Sequence, residues 1–157
     1  METHSLAHLF SYSESVLGKL AEGMSAEDWL ARTNGANDAY WVLGHLAVSR
    51  RLILRWHFKP GPAKDGWEDS FMSGRGPQGA MPVTVSELLR EFSERGKELS
   101  LRLAEWKPEE AERKVEPYPD GGNTAIGGIR WLYMHEVYHL GQLSLLRRLR
   151  GKPGVEL

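Results

Sequence analysis

Two histidines four residues apart, in His135-Glu136-Val137-Tyr138-His139, carry the clearest chemical signal in this chain. On a helix that spacing is slightly more than one turn, so both imidazoles leave the same face within reach of a single metal ion. Glu136 and Tyr138 flank them, and either side chain could move a proton to or from a group held there. Glu136 follows His135 by one position and so points about 100° round the helix. A solvent-facing or interhelical place suits it at least as well.

A third histidine lies in Trp41-Val42-Leu43-Gly44-His45-Leu46. A lone histidine on an apolar face is more often a satisfied core residue than a ligand. Three on the inward stripes of two helices are a different case. A buried imidazole needs both ring nitrogens paired, and a shared cation removes that difficulty for all three. Each ring then offers one nitrogen to the metal and one proton to an acceptor behind it. Three neutral imidazoles suit zinc or nickel first, with iron, manganese or copper also accommodated, and they leave a coordination position open. His4, His8 and His57 fall off these stripes and are not assigned to the site.

The elements that must position these rings read as helices. Leu6, Leu9, Phe10, Ser13, Val16, Leu17 and Leu20 recur at helical spacing, with Gly23 as the stop. A second helix runs from the N-cap Asp38 to about His57, with Trp41, His45, Val48, Leu52 and Trp56 facing inward. A third opens on the capping box Thr84-Val85-Ser86-Glu87 and carries Gly96 where a neighbouring helix is expected to come close. The fourth runs from about Thr124 to Arg150, where Gly151 and Pro153 end it. Its stripe is Ile129, Leu132, His135, His139, Leu143 and Leu146. If the second helix descends and the fourth ascends, His45 lies about 10 Å and His139 about 16 Å from the same end, close enough for side chains to meet.

Four amphipathic helices and no strand pattern predict an all-α four-helix bundle in a single domain spanning 1–157. The Gly- and Pro-rich connection 58–83 is far longer than the about 2–8 residues that join antiparallel neighbours. It predicts a crossover between two parallel helices, the second and third. Trp67, Phe71, Met72 and Met81 within it suggest a lid on the bundle or part of a dimer interface. The basic run Arg147-Arg148-Leu149-Arg150-Gly151-Lys152 is read as helix-end complement to the dipole.

Composition narrows the function. The 157 residues suffice to bury about 68–70% of the unfolded surface. Twenty basic against 21 acidic residues give a formal charge of −1, with no footprint for nucleic acid or an anionic membrane. No cysteine is present, which excludes thiolate nucleophiles and Cys-type zinc sites. Met1-Glu2-Thr3-His4 lacks the charged and apolar segments of a signal peptide, and no apolar run approaches membrane-spanning length. A soluble, cytoplasmic protein is expected.

Taken in order and spacing, Trp41-Val42-Leu43-Gly44-His45-Leu46 and His135-Glu136-Val137-Tyr138-His139-Leu140-Gly141-Gln142 resemble the DinB/YfiT-like superfamily of metalloenzymes. The resemblance covers essentially the whole chain. It implies an up-down-down-up bundle with the long helix 2–3 crossover, a divalent metal on His45, His135 and His139, and often a homodimer. It further implies a low-molecular-weight thiol as cosubstrate in some members. Leu140 departs from the pattern, since relatives commonly carry Arg there. Gln142 could hold a ligand from behind or serve as packing between helices, and Gly141 is expected to permit close helix approach.

Three functions compete at this stage. The first is a metal-dependent enzyme, a hydrolase or thiol transferase acting on a small molecule. The second is a zinc peptidase, since His135 to His139 also fit H-E-x-x-H with Glu136 as general base. It lacks a third ligand downstream, where Glu156 is the sole carboxylate, and it lacks a strand edge for an extended peptide. The third is a non-catalytic bundle that binds a metal or ligand or dimerises. Six tryptophans are present, Trp29, Trp41, Trp56, Trp67, Trp106 and Trp131, and a pocket lined by some of them would favour an apolar or aromatic ligand, although any one is more often core or interface filler.

Overall fold

The computed structural model describes residues 2–33, 35–74 and 81–156. Residues 75–80 of the expected crossover, and Met1, lie outside them. Three of the four long helices, α1 being the exception, begin where their capping chemistry says they should. Helix α1 is Glu2–Ala21, and Gly23 behind it adopts a φ of 69°. Ser25 and Asp28 cap a short helix, α2 (Ala26–Leu30), that hydrophobic periodicity alone does not reveal. Asp38 accepts from the Trp41 amide at 2.8 Å and starts α3, Ala39–His57.

The crossover that follows contains a 3-10 helix, Gly66–Phe71. Helix α4 (Val85–Ala104) opens on the expected Thr84/Glu87 box, and the single turn α5 (Pro108–Ala111) follows it. Thr124 caps α6, Ala125–Leu149, which ends before Gly151 at a φ of 72°. Among the described residues there is no strand.

The four long helices form a ring in the order α1, α4, α3, α6. Contacts along their lengths fix the directions. Tyr40 donates to the Val83 carbonyl near the starts of α3 and α4, and Phe58 packs on Trp106 just past their ends, so those two helices are parallel. Phe10 meets Tyr133 and Arg147 donates to the Leu20 carbonyl, so α1 and α6 are parallel too. Ser93 bonds Glu14 while Ser100 bonds Ser11, which runs α1 against α4. The bundle is up-down-down-up, and the long connection spans the parallel pair α3 and α4.

Two apolar clusters fill the interior. One gathers Leu17, Trp41, Leu43, Phe71, Phe92 and Leu143; the other gathers Phe10, Ile53, Leu99, Leu103, Ile126 and Ile129. Between α1, α3, α4 and α6 lies a buried ion pair. The Arg50 Nε and Nη2 groups donate to Glu136 at 2.9 and 2.8 Å, with the two residues 0% and 1% exposed. Arg50 also donates to the Phe92 and Phe10 carbonyls at 3.0 and 2.9 Å, and Ser13 donates to Glu136. Its guanidinium carbon lies 3.4 Å from the centre of the Phe92 ring.

Several expectations need correction. Gly96 makes room for Arg50 rather than for a helix backbone: a Cβ there would sit 2.0 Å from Arg50 Nη1. Nothing lies within 4 Å of a Cβ at Gly141, so it permits no close approach in this chain. Arg147 is buried and clamps the Leu20, Glu22 and Pro153 carbonyls, which is more than dipole complement. Leu9 and Trp56, read as inward, are exposed, because both lie at the edges of their stripes. In the crossover, Phe71 is buried in the core and Trp67 packs against it, while Met72 and Met81 stay exposed.

Candidate metal centre

Helices α3 and α6 run antiparallel and bring His45 level with His135 and His139. The His135 Nε2 atom lies 3.2 Å from His45 Nε2 and 3.1 Å from His139 Nε2. One candidate ligand atom from each ring falls within 4.8 Å of the others, a group able to hold a metal ion. His45 and His139 are buried and His135 is half-buried.

Hydrogen bonds behind the rings set their tautomers. The Phe71 carbonyl can only accept, so His45 Nδ1, 2.7 Å away, carries the proton and Nε2 presents its lone pair. His139 Nδ1 donates to Gln142 Oε1 at 2.7 Å with the same result. Gln142 then turns its Nε2 to the Tyr138 hydroxyl at 2.9 Å. His135 Nδ1 is buried without a partner. Two bare Nε2 atoms therefore converge on that of His135, whose single proton could serve only one of them and would leave the other unsatisfied. A cation satisfies all three. Two nitrogens on one ion at about 2.0–2.1 Å would stand about 2.8–3.4 Å apart, from octahedral to tetrahedral angles. The separations of His135 Nε2 from the other two fit.

Electrostatics keep the rings neutral and able to ligate. Burial depresses all three pKa values, and the neighbouring imidazoles add to this at His135, which falls to about 4. Indoles back two of the rings: Trp41 stacks on His45 with centroids 4.8 Å apart, and Trp131 on His135 at 5.7 Å. Tyr138 is 62% exposed with its ring edge against His139.

The crossover supplies the acceptor for His45. Arg51 and Arg55 bind Glu68 of the 3-10 helix, and Arg51 also reaches Asp65 and Glu91. The Phe71 ring lies where a side chain on Gly44 would be, 2.2 Å from a Cβ built there. No sequence signal marks a backbone carbonyl 26 residues away as this partner. Arg50 could have been singled out, since a charge inside the apolar run of α3 demands a buried counterion, and Glu136 is it.

Glu136 does not face the histidines. Committed to Arg50 and Ser13, it points into the bundle on another side of α6, so the H-E-x-x-H peptidase reading fails for want of its base. His57 lies apart, bonded to the Tyr118 hydroxyl at 2.8 Å.

The fold and the site together define a helical bundle with a histidine cluster between two antiparallel helices. The chain belongs to the DinB superfamily, whose family profile matches residues 9–143. No curated protein matches it.

Proposed function

We propose that this protein is a divalent-metal-dependent enzyme of the DinB superfamily, with His45, His135 and His139 as ligands and a small molecule as substrate. The convergence of three Nε2 atoms, two with their tautomer fixed from behind, carries this reading. When bound, the ion supplies Lewis acidity, lowering the pKa of water or a substrate thiol at an open position. Zinc or nickel suits the all-imidazole set.

The remaining chemistry belongs to the chain. Phe71 and Gln142 hold the His45 and His139 rings with their lone pairs forward. Trp41 and Trp131 wall the rings and limit water around them. Because the Tyr138 oxygen accepts from Gln142, its own proton stays free to donate to a bound small molecule. Hydrolysis and transfer to a low-molecular-weight thiol are the two reactions this arrangement serves.

Homodimerisation is part of the proposal. The outward faces of α1 and α6 expose Leu9, Tyr12, Met134, Val137 and Leu145, apolar area that a second copy would cover. A cytoplasmic location is part of it as well; no helix among the described residues is long and apolar enough to cross a membrane.

Metal analysis of untagged protein tests the site. About one ion per chain is expected, lost in His45→Ala and His135→Ala; unchanged content in both variants would overturn the assignment. Thiol-stimulated turnover of an electrophile panel should vanish on chelation. Turnover that survives complete metal removal would contradict the enzymatic reading.

A further inference from the structure

A second concave site lies at the C-terminal end of α3, twelve residues beyond His45 and so about 18 Å along the helix axis. Its volume is about 610 Å³, within the usual range for small-molecule pockets. Trp56 and Trp106 form aromatic walls, and Trp56 is 52% exposed, a large apolar surface left open at a cavity mouth. His57, only 8% exposed, lines both this cavity and an adjoining hollow, and its Nδ1 has no partner among the described residues.

Lys59, Arg102 and Arg113 bring three positive charges to the lining. None forms a salt bridge among the described residues, whereas Arg50, Arg51, Arg55 and Arg95 are each matched to a carboxylate. Glu105 and Glu110 also line the cavity, so three basic groups against two acidic ones leave one positive charge. That balance suits a monoanion and disfavours a polyphosphate. Aromatic walls select a flat apolar body, and an arginine at the rim selects a carboxylate.

We infer that this cavity is a binding site for a small aromatic carboxylate, separate from the histidine cluster. Neither the DinB assignment nor the proposed metal chemistry requires it.

Calorimetric titration with 1-naphthoate and its neutral isostere 1-naphthamide, both with chelator present, tests the inference. One site per chain with a Kd of about 1 mM or tighter is expected for the acid. The amide should bind about tenfold more weakly, and Arg113→Gln and Trp56→Ala should each weaken the acid about tenfold. Both positions are exposed, so circular dichroism should show unchanged helicity. Lys59→Gln supplies a second charge removal should Arg113→Gln fail to fold. His135→Ala should bind the acid as the parent does, which separates this site from the metal centre. No saturable binding, equal affinity for acid and amide, indifference to the rim substitutions, or loss of binding in His135→Ala would each overturn the inference.

Discussion

His135 and Glu136 are neighbours in the chain and serve different sides of α6. The histidine joins the cluster, and the glutamate closes an ion pair that reaches residues on α1, α3 and α4. Glu136→Ala would leave the buried Arg50 unpaired and should cost about 3–5 kcal/mol, read as a lower denaturant midpoint. The histidines predict a pH dependence of stability. His135 and His57 both have folded pKa values near 4 against about 6.5 when unfolded. The unfolded chain thus takes up protons first, so stability of the metal-free protein should fall as pH drops from about 6.5 toward 4. Denaturant midpoints at pH 7.5 and pH 5 should differ less in a His57→Gln, His135→Gln variant. At this scale the ligand candidates were legible from spacing, because i and i+4 share a helical face. The direction of Glu136 was not, because one step from a ligand leaves both the interior and the solvent open to it.

Among the elements, the crossover joins an ion-pair network to the site. Glu68 anchors the 3-10 helix to Arg51 and Arg55, and Phe71 at its end accepts from His45. Gly44→Ala should push the Phe71 ring away and loosen that bond. The expected outcome is metal affinity lowered about 10–100-fold with the helical spectrum retained, measured by competition with a chromogenic chelator. Gly96→Ala, which meets the Arg50 guanidinium, should instead lower stability by about 1–3 kcal/mol. Apart from the start of α1, which no cap marks, helix limits were readable to within a residue or two because Asp38, Thr84 and Thr124 cap and Gly23 and Gly151 stop. The short helices α2 and α5 and the 3-10 turn were not, since four to six residues show too little periodicity to register.

Across the whole molecule, the bundle's direction pattern was readable from one loop length, because a connection of that size implies travel along the bundle. What the outer faces do was harder to see. A stripe at helical spacing says which residues are apolar but not which of its edges remain uncovered. The exposed run on α1 and α6 should make the protein a dimer by sedimentation equilibrium, and Val137→Glu or Leu145→Glu should shift it toward monomer. A parent chain that sediments as monomer at high micromolar concentration would remove that expectation.

The pairing of Trp41 with His45 and Trp131 with His135 has a practical consequence. Each indole is in ring contact with an imidazole of the cluster, so its ultraviolet emission should register an ion arriving there. A paramagnetic ion such as nickel(II) or copper(II) should darken those two emitters and leave the remote, solvent-exposed Trp56 bright. The protein thus carries its own optical gauge of loading, readable without any attached dye.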